Sequence, residues 1–159
     1  MSLGLLIFTL VHTAISLVGI ISGVVVACGM IDGKRLDGWT KVFLLTTIAT
    51  SVTGFFFPFH GFKPSYVVGA LSLIVLALAW TARYRHLLSG GWRVTYVISA
   101  LIALYFNVFV LIVQSFLKIP ALTALAPTQT EPPFKMAQLT ALVLFIGIAI
   151  VSVKKFRVV

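Results

Sequence analysis

The chain has 159 residues, of which 60% are hydrophobic and 9% charged, with twelve Lys and Arg against three Asp and Glu and a mean hydropathy of +1.15. That balance lies outside the range of soluble globular domains, so an integral membrane protein is expected. The net charge of +9 would suggest nucleic acid in a soluble domain, but here the cations come as small clusters beside apolar runs, with no basic stripe interleaved with stacking aromatics, and no nucleic-acid partner is expected.

A bilayer core of about 30 Å needs roughly 20 apolar residues in a helix. Five runs meet or approach that length: 4–29, 42–59, 66–82, 94–117 and 136–153. They are continuously apolar, without the alternation of a barrel strand. The expected fold is therefore all-α, a single transmembrane domain over 1–159 with five transmembrane helices.

In the first run Thr9, His12, Ser16, Gly19 and Gly23 recur at steps of three and four and share one helical face. Gly19 and Gly23 form a GxxxG pair, which can pack within the monomer or make a dimer. The run is too long for a signal-peptide h-region, nothing basic precedes it, and Lys34 and Arg35 follow it, so it reads as a retained span. Cys28, the one cysteine, reads as a small apolar filler. The first connection, "MIDGKRLDGWTK", carries Lys34, Arg35 and Lys41.

The second run presents Thr46, Thr47, Thr50, Thr53 and Gly54, another small and polar face, and ends in "FPFHG", where His60 reads as an interfacial residue after a stop at Pro58. After the third run comes "RYRHLLSGGWR", with Arg83, Arg85 and Arg93, and with His86 expected to be solvated. The fourth run aligns Tyr96, Ala100, Ala103, Asn107 and Gln114. The connection "IPALTALAPTQTEPPFK" is apolar enough over 120–126 to lie on the bundle, and Gln138 opens the fifth run, which ends in "KKFRVV".

Nine of the twelve basic residues fall in the first connection, the third connection and the tail. Because Lys and Arg are retained on the cytoplasmic side, the N-terminus is expected outside and the C-terminus in the cytoplasm. Trp39, Trp80 and Trp92 fall at the same ends, as interfacial indoles do.

Polar groups inside spans are costly and usually face protein or a water-filled cavity. By depth, His12, Thr53, Asn107 and Gln114 share the outer half of the bundle, and these four residues form the candidate ligand-binding site. No catalytic set is expected: Asp32, Asp37 and Glu131 all lie in connections, so no intramembrane carboxylate pair or Ser/His/Asp set can be drawn. No metal site is expected, and bis-imidazole ligation of haem b by His12 and His60 is a weak alternative, since one histidine lies in a span and the other in a loop.

The stretches "RLDGW", "TSVTGFFFPF", "LYFNVFVLIVQSF", "PALTALAPTQTEPPF" and "HTAIS" resemble a group of small multi-pass bacterial membrane proteins. The resemblance implies a bacterial inner-membrane location and a helical bundle, and brings no activity, ligand or site residue. By subtraction the chain reads as a non-catalytic accessory or assembly component of a larger membrane complex, with the lipid bilayer and other membrane subunits, or further copies of itself, as partners. A quinone- or lipid-binding protein, a small transporter or oligomeric channel, and a haem b-linked redox protein are the alternatives.

Overall fold

A computed structural model describes residues 2–58 and 64–157, without the side chain of Pro64; His60 and Lys63 lie outside the described residues. The described chain is helical: α1 Leu3–Ile31, α2 Asp37–Gly54, α3 Pro64–Trp80 continued by a π-helical turn Thr81–Arg85, α4 Trp92–Lys118, the short α5 Pro120–Leu125, and α6 Pro132–Lys155. Among the described residues four helical stretches are long and apolar enough to cross a membrane: Leu3–Ile31, Ser65–Arg85, Trp92–Lys118 and Pro132–Lys155. α2 has 18 residues. Its Asp37, Lys41 and run of threonines set it apart from those four.

Helix ends follow local chemistry. The Ser2 hydroxyl accepts from the Leu5 N–H and opens α1. Gly33 closes it at φ +73, where a side chain would be strained, while the Gly33 and Lys34 N–H groups donate to the Met30 and Gly29 carbonyls. α2 starts five residues before the expected run because Asp37 favours a helix N-terminus. It stops at Gly54, before Phe55 and Phe56, so the second run ends earlier than position 59. Pro132 and Pro133, which need no N–H partner there, open α6.

α4 is the hub, packing against α1, α2, α3 and α6, while α1 also packs on α2 and α6, and α2 on α3. The aligned residues of the fourth run explain this position: Tyr96, Ala100 and Ala103 are buried, and two small side chains let neighbouring backbones approach. GxxxG is used inside the monomer. A Cβ on Gly23 would lie 2.5 Å from Leu104 Cδ1 and 2.9 Å from the Phe43 ring, and one on Gly19 would lie 3.2 Å from Thr47 Oγ1.

The three basic segments converge at one end of the bundle. Arg83 pairs with Asp37, Arg93 Nη1 donates to the carbonyls of Val153 and Phe156, and a Cβ on Gly33 would sit 3.1 Å from the Lys155 carbonyl oxygen. Trp39 is half exposed beside this end. At the opposite end the long connection folds over α4: Thr123 Oγ1 donates to the Phe116 carbonyl, Gln129 Nε2 to the Val113 carbonyl, and Phe116 meets Phe134 edge-on at 5.4 Å. α5 itself buries none of its residues. Ala126, just after it, is the part of the expected lying segment that is buried.

Candidate functional site

His12 sits on α1 against the end of α2. Its Nδ1 is 2.8 Å from Thr53 Oγ1. That hydroxyl has one proton, already directed to the Ala49 carbonyl at 2.7 Å in the back-bonding pattern of helical threonines. Thr53 Oγ1 therefore accepts, and His12 Nδ1–H donates. In the neutral ring Nε2 then keeps its lone pair, so His12 offers a ligand an acceptor and not a donor. The ring is packed by aromatics: Phe57 approaches edge-on at 5.0 Å and 88°, Phe8 lies at 6.5 Å, and the two phenyl rings meet at 4.9 Å. A Cβ on Gly54 would be 3.9 Å from His12 Cε1, an ordinary contact.

Asn107, on α4, turns to a different threonine. Its Nδ2 donates to Thr47 Oγ1 at 3.3 Å, and Thr47 is fully buried. Gly19 makes room for this pair, since a Cβ there would be 3.5 Å from Asn107 Nδ2. The structure thus brings His12 to Thr53 and Asn107 to Thr47, with α2 as the common partner. No hydrogen bond among the described residues joins the two pairs, which are six residues or about 9 Å apart along α2. Between them Thr50 Oγ1 is buried without a partner among the described residues.

Gln114 is half-buried, seven residues or about 10 Å beyond Asn107 along α4, and no hydrogen bond among the described residues ties it to the other three. The long connection covers that end of α4 through Val113 and Phe116, whereas the rings around His12 are Phe8 and Phe57. Gln138 donates through Nε2 to the Phe109 carbonyl at 3.2 Å and keeps a buried Oε1 without a partner among the described residues. Of the four residues of the expected site, the structure brings His12 to Thr53, turns Asn107 to Thr47, and leaves Gln114 outside both pairs.

The opposite end holds a polar cluster that the sequence reading missed. Arg83, read as a loop cation, is buried at 3% exposure. It pairs with Asp37, and its guanidinium carbon lies 5.1 Å from the Tyr96 ring and 5.9 Å from the Tyr84 ring. The Tyr96 hydroxyl donates to Thr40 Oγ1 at 3.4 Å. Arg83 lies within the π-helical turn, where it is buried together with Ala82. The available signal was the helical continuity of "WTARYR" past the apolar run, with an acid in the neighbouring connection. His86, expected to be solvated, is half-buried and stacks on Trp92 at 3.9 Å and 1°. Among the described residues no group of three or more His, Cys, Asp or Glu is placed to hold a metal ion.

Comparison of the chain with described protein families, with curated proteins and with solved structures finds no match.

Proposed function

We propose that this chain is a non-catalytic, multi-pass protein of the bacterial inner membrane that serves as an accessory or assembly component of a larger complex. It crosses the bilayer five times, with the N-terminus outside and the C-terminus in the cytoplasm. α2 is the added crossing. Asp37 lies with the basic end and Thr53 lies beside His12 near the other, about 24 Å apart along the helix. The convergence of the cationic segments at one end supports the orientation, by retention of Lys and Arg in the cytoplasm.

The observation that carries the accessory reading is α6. It is strongly apolar, yet only 11% of its spanning window is buried in the monomer, and Ser152 is its one buried residue among those described. The small-residue faces of α1, α2 and α4 are consumed inside the bundle, so α6 is the span left with most of its circumference for a partner helix. Gly147 has open space around it. A larger side chain there leaves the monomer intact and blocks close helix approach. Purification in a gentle detergent should bring stoichiometric foreign polypeptides, and Gly147→Leu should release them without changing monomer stability. A wild-type sample free of other polypeptides would sink this reading.

The second reading is a binder of a quinol or another hydroxyl-bearing amphiphile. It is favoured by the His12 tautomer: the Nε2 lone pair in an aromatic setting accepts a hydrogen bond from a ligand hydroxyl. Binding that is lost in His12→Phe, with an unchanged melting temperature, would support it. A Soret band lost on His12→Ala would instead point to haem.

A further inference from the structure

At the basic end a cleft of about 440 Å³ is lined by Leu88, Gly90, Arg93, Val153, Lys154 and Arg157. We infer that this cleft binds an anionic phosphate group, and that the natural source of that phosphate is the headgroup of an anionic phospholipid. Three cations reach it from two parts of the chain, Arg93 from the start of α4, and Lys154 and Arg157 from the end of α6 and the tail just after it. No acidic side chain lines it. The nearby acids are engaged elsewhere: Asp32 pairs with Lys34 at 3.8 Å, and Asp37 with Arg35 and Arg83. Among the described residues, Arg93, Lys154 and Arg157 have no carboxylate partner.

The cleft is also held in shape. Arg93 is fixed by two hydrogen bonds, and both use Nη1, to the Val153 and Phe156 carbonyls. Among the described residues its Nε and Nη2 donors are left for a ligand, which suits the forked recognition of phosphate by guanidinium. The opposite wall is a loop in which Leu87 and Leu88, neither a glycine, both adopt left-handed backbone at φ 49 and φ 61. Such strain persists where the surroundings over-determine it. Here Leu88 is buried at 2% exposure and its N–H donates to the Ala82 carbonyl. Leu88 and Val153 are the apolar side chains of the cleft's lining. The site lies where the apolar length of α6 ends, at the depth of lipid headgroups, and basic pockets between helices at that depth bind anionic lipid headgroups.

The test compares the wild type with Lys154→Gln/Arg157→Gln, which keeps Arg93 as a structural tie, and with Lys41→Gln/Arg85→Gln, which removes the same charge from residues that do not line the cleft. Each protein is titrated in zwitterionic nanodiscs with phosphatidylglycerol, and bound lipid is read by native mass spectrometry. The cleft variant should lose about tenfold or more in apparent phosphatidylglycerol affinity, while the control variant should stay within about twofold of the wild type. Equal losses in the two variants would mean diffuse surface attraction and overturn the site. Displacement of the lipid by inorganic phosphate at low millimolar concentration would keep the phosphate site but overturn the lipid as its source.

Discussion

Gly23→Ala puts a methyl group where α1, α2 and α4 meet. The added Cβ would lie 2.5 Å from Leu104 Cδ1 and 2.9 Å from Phe43 Cδ2 and Cε2, and both neighbours are buried at 2% and 1% exposure. The leucine tip can rotate, but the phenyl ring has little space to yield. Overpacking of this kind costs about 1–3 kcal/mol, against a helix-propensity gain of at most ~1 kcal/mol on replacing Gly by Ala. The net expectation is a loss of about 1–2 kcal/mol. Gly147→Ala is the internal control, since nothing lies within 4 Å of its Cβ position, and it should be neutral or slightly stabilising. Reversible unfolding in mixed micelles measures both. A Gly23→Ala protein at least as stable as the wild type would refute the three-helix contact, and an effect confined to self-association would move GxxxG to a dimer interface.

Asp37→Asn strips Arg83 of its carboxylate. Because the Asp37 side chain is 71% exposed and water screens the pair, about 1–2 kcal/mol should be lost instead of the 3–5 typical of breaking a fully buried pair, whereas Arg35→Gln should shift the melting temperature little; equal effects would contradict the buried position of Arg83. Thr53→Val should cost about 0.6–1.7 kcal/mol, and ¹⁵N spectra of the neutral His12 ring should show Nδ1 protonated in the wild type, so that a protonated Nε2 with a bare Nδ1 would reverse the assigned donor. The Glu131 carboxyl is raised by desolvation but held below the ordinary glutamate value by hydrogen bonds from the Thr128 hydroxyl and from backbone N–H groups including those of Thr128 and Thr130. A depressed folded pKa contributes stability above the ordinary value, lost as pH falls through the folded one, so a ¹³C titration should find the Glu131 midpoint below that of free glutamate and higher in Thr128→Val.

Much of the architecture was legible because hydrocarbon imposes simple demands. Continuous apolar length identified α1, α3, α4 and α6, and three- and four-residue spacing of small side chains identified the buried faces at Gly19, Gly23, Ala100 and Ala103. Partner choice was not legible. Depth placed His12 and Asn107 in the same half of the bundle, but which threonine each meets depends on the rotation of α2 between α1 and α4, and periodicity within one helix does not fix that. Arg83 was misread for a related reason. A charge next to an apolar run looks like a membrane-edge cation, and only the π-helical turn, with Asp37 and the Tyr96 ring opposite it, makes an inward cation stable. The start of α2 was misplaced because the helix extends past its apolar stretch, with Trp39 and Lys41 in its first turns.

Topology is the most direct test of the central claim, because the accessory role, the outer polar pairs and the headgroup site all assume a five-span bundle with its basic end in the cytoplasm. Reporter domains fused after Lys41, after Arg93 and at Val159 should all report cytoplasm, and one inserted within 59–63 should report the periplasm. A periplasmic signal at Val159, or a cytoplasmic one within 59–63, would contradict the account.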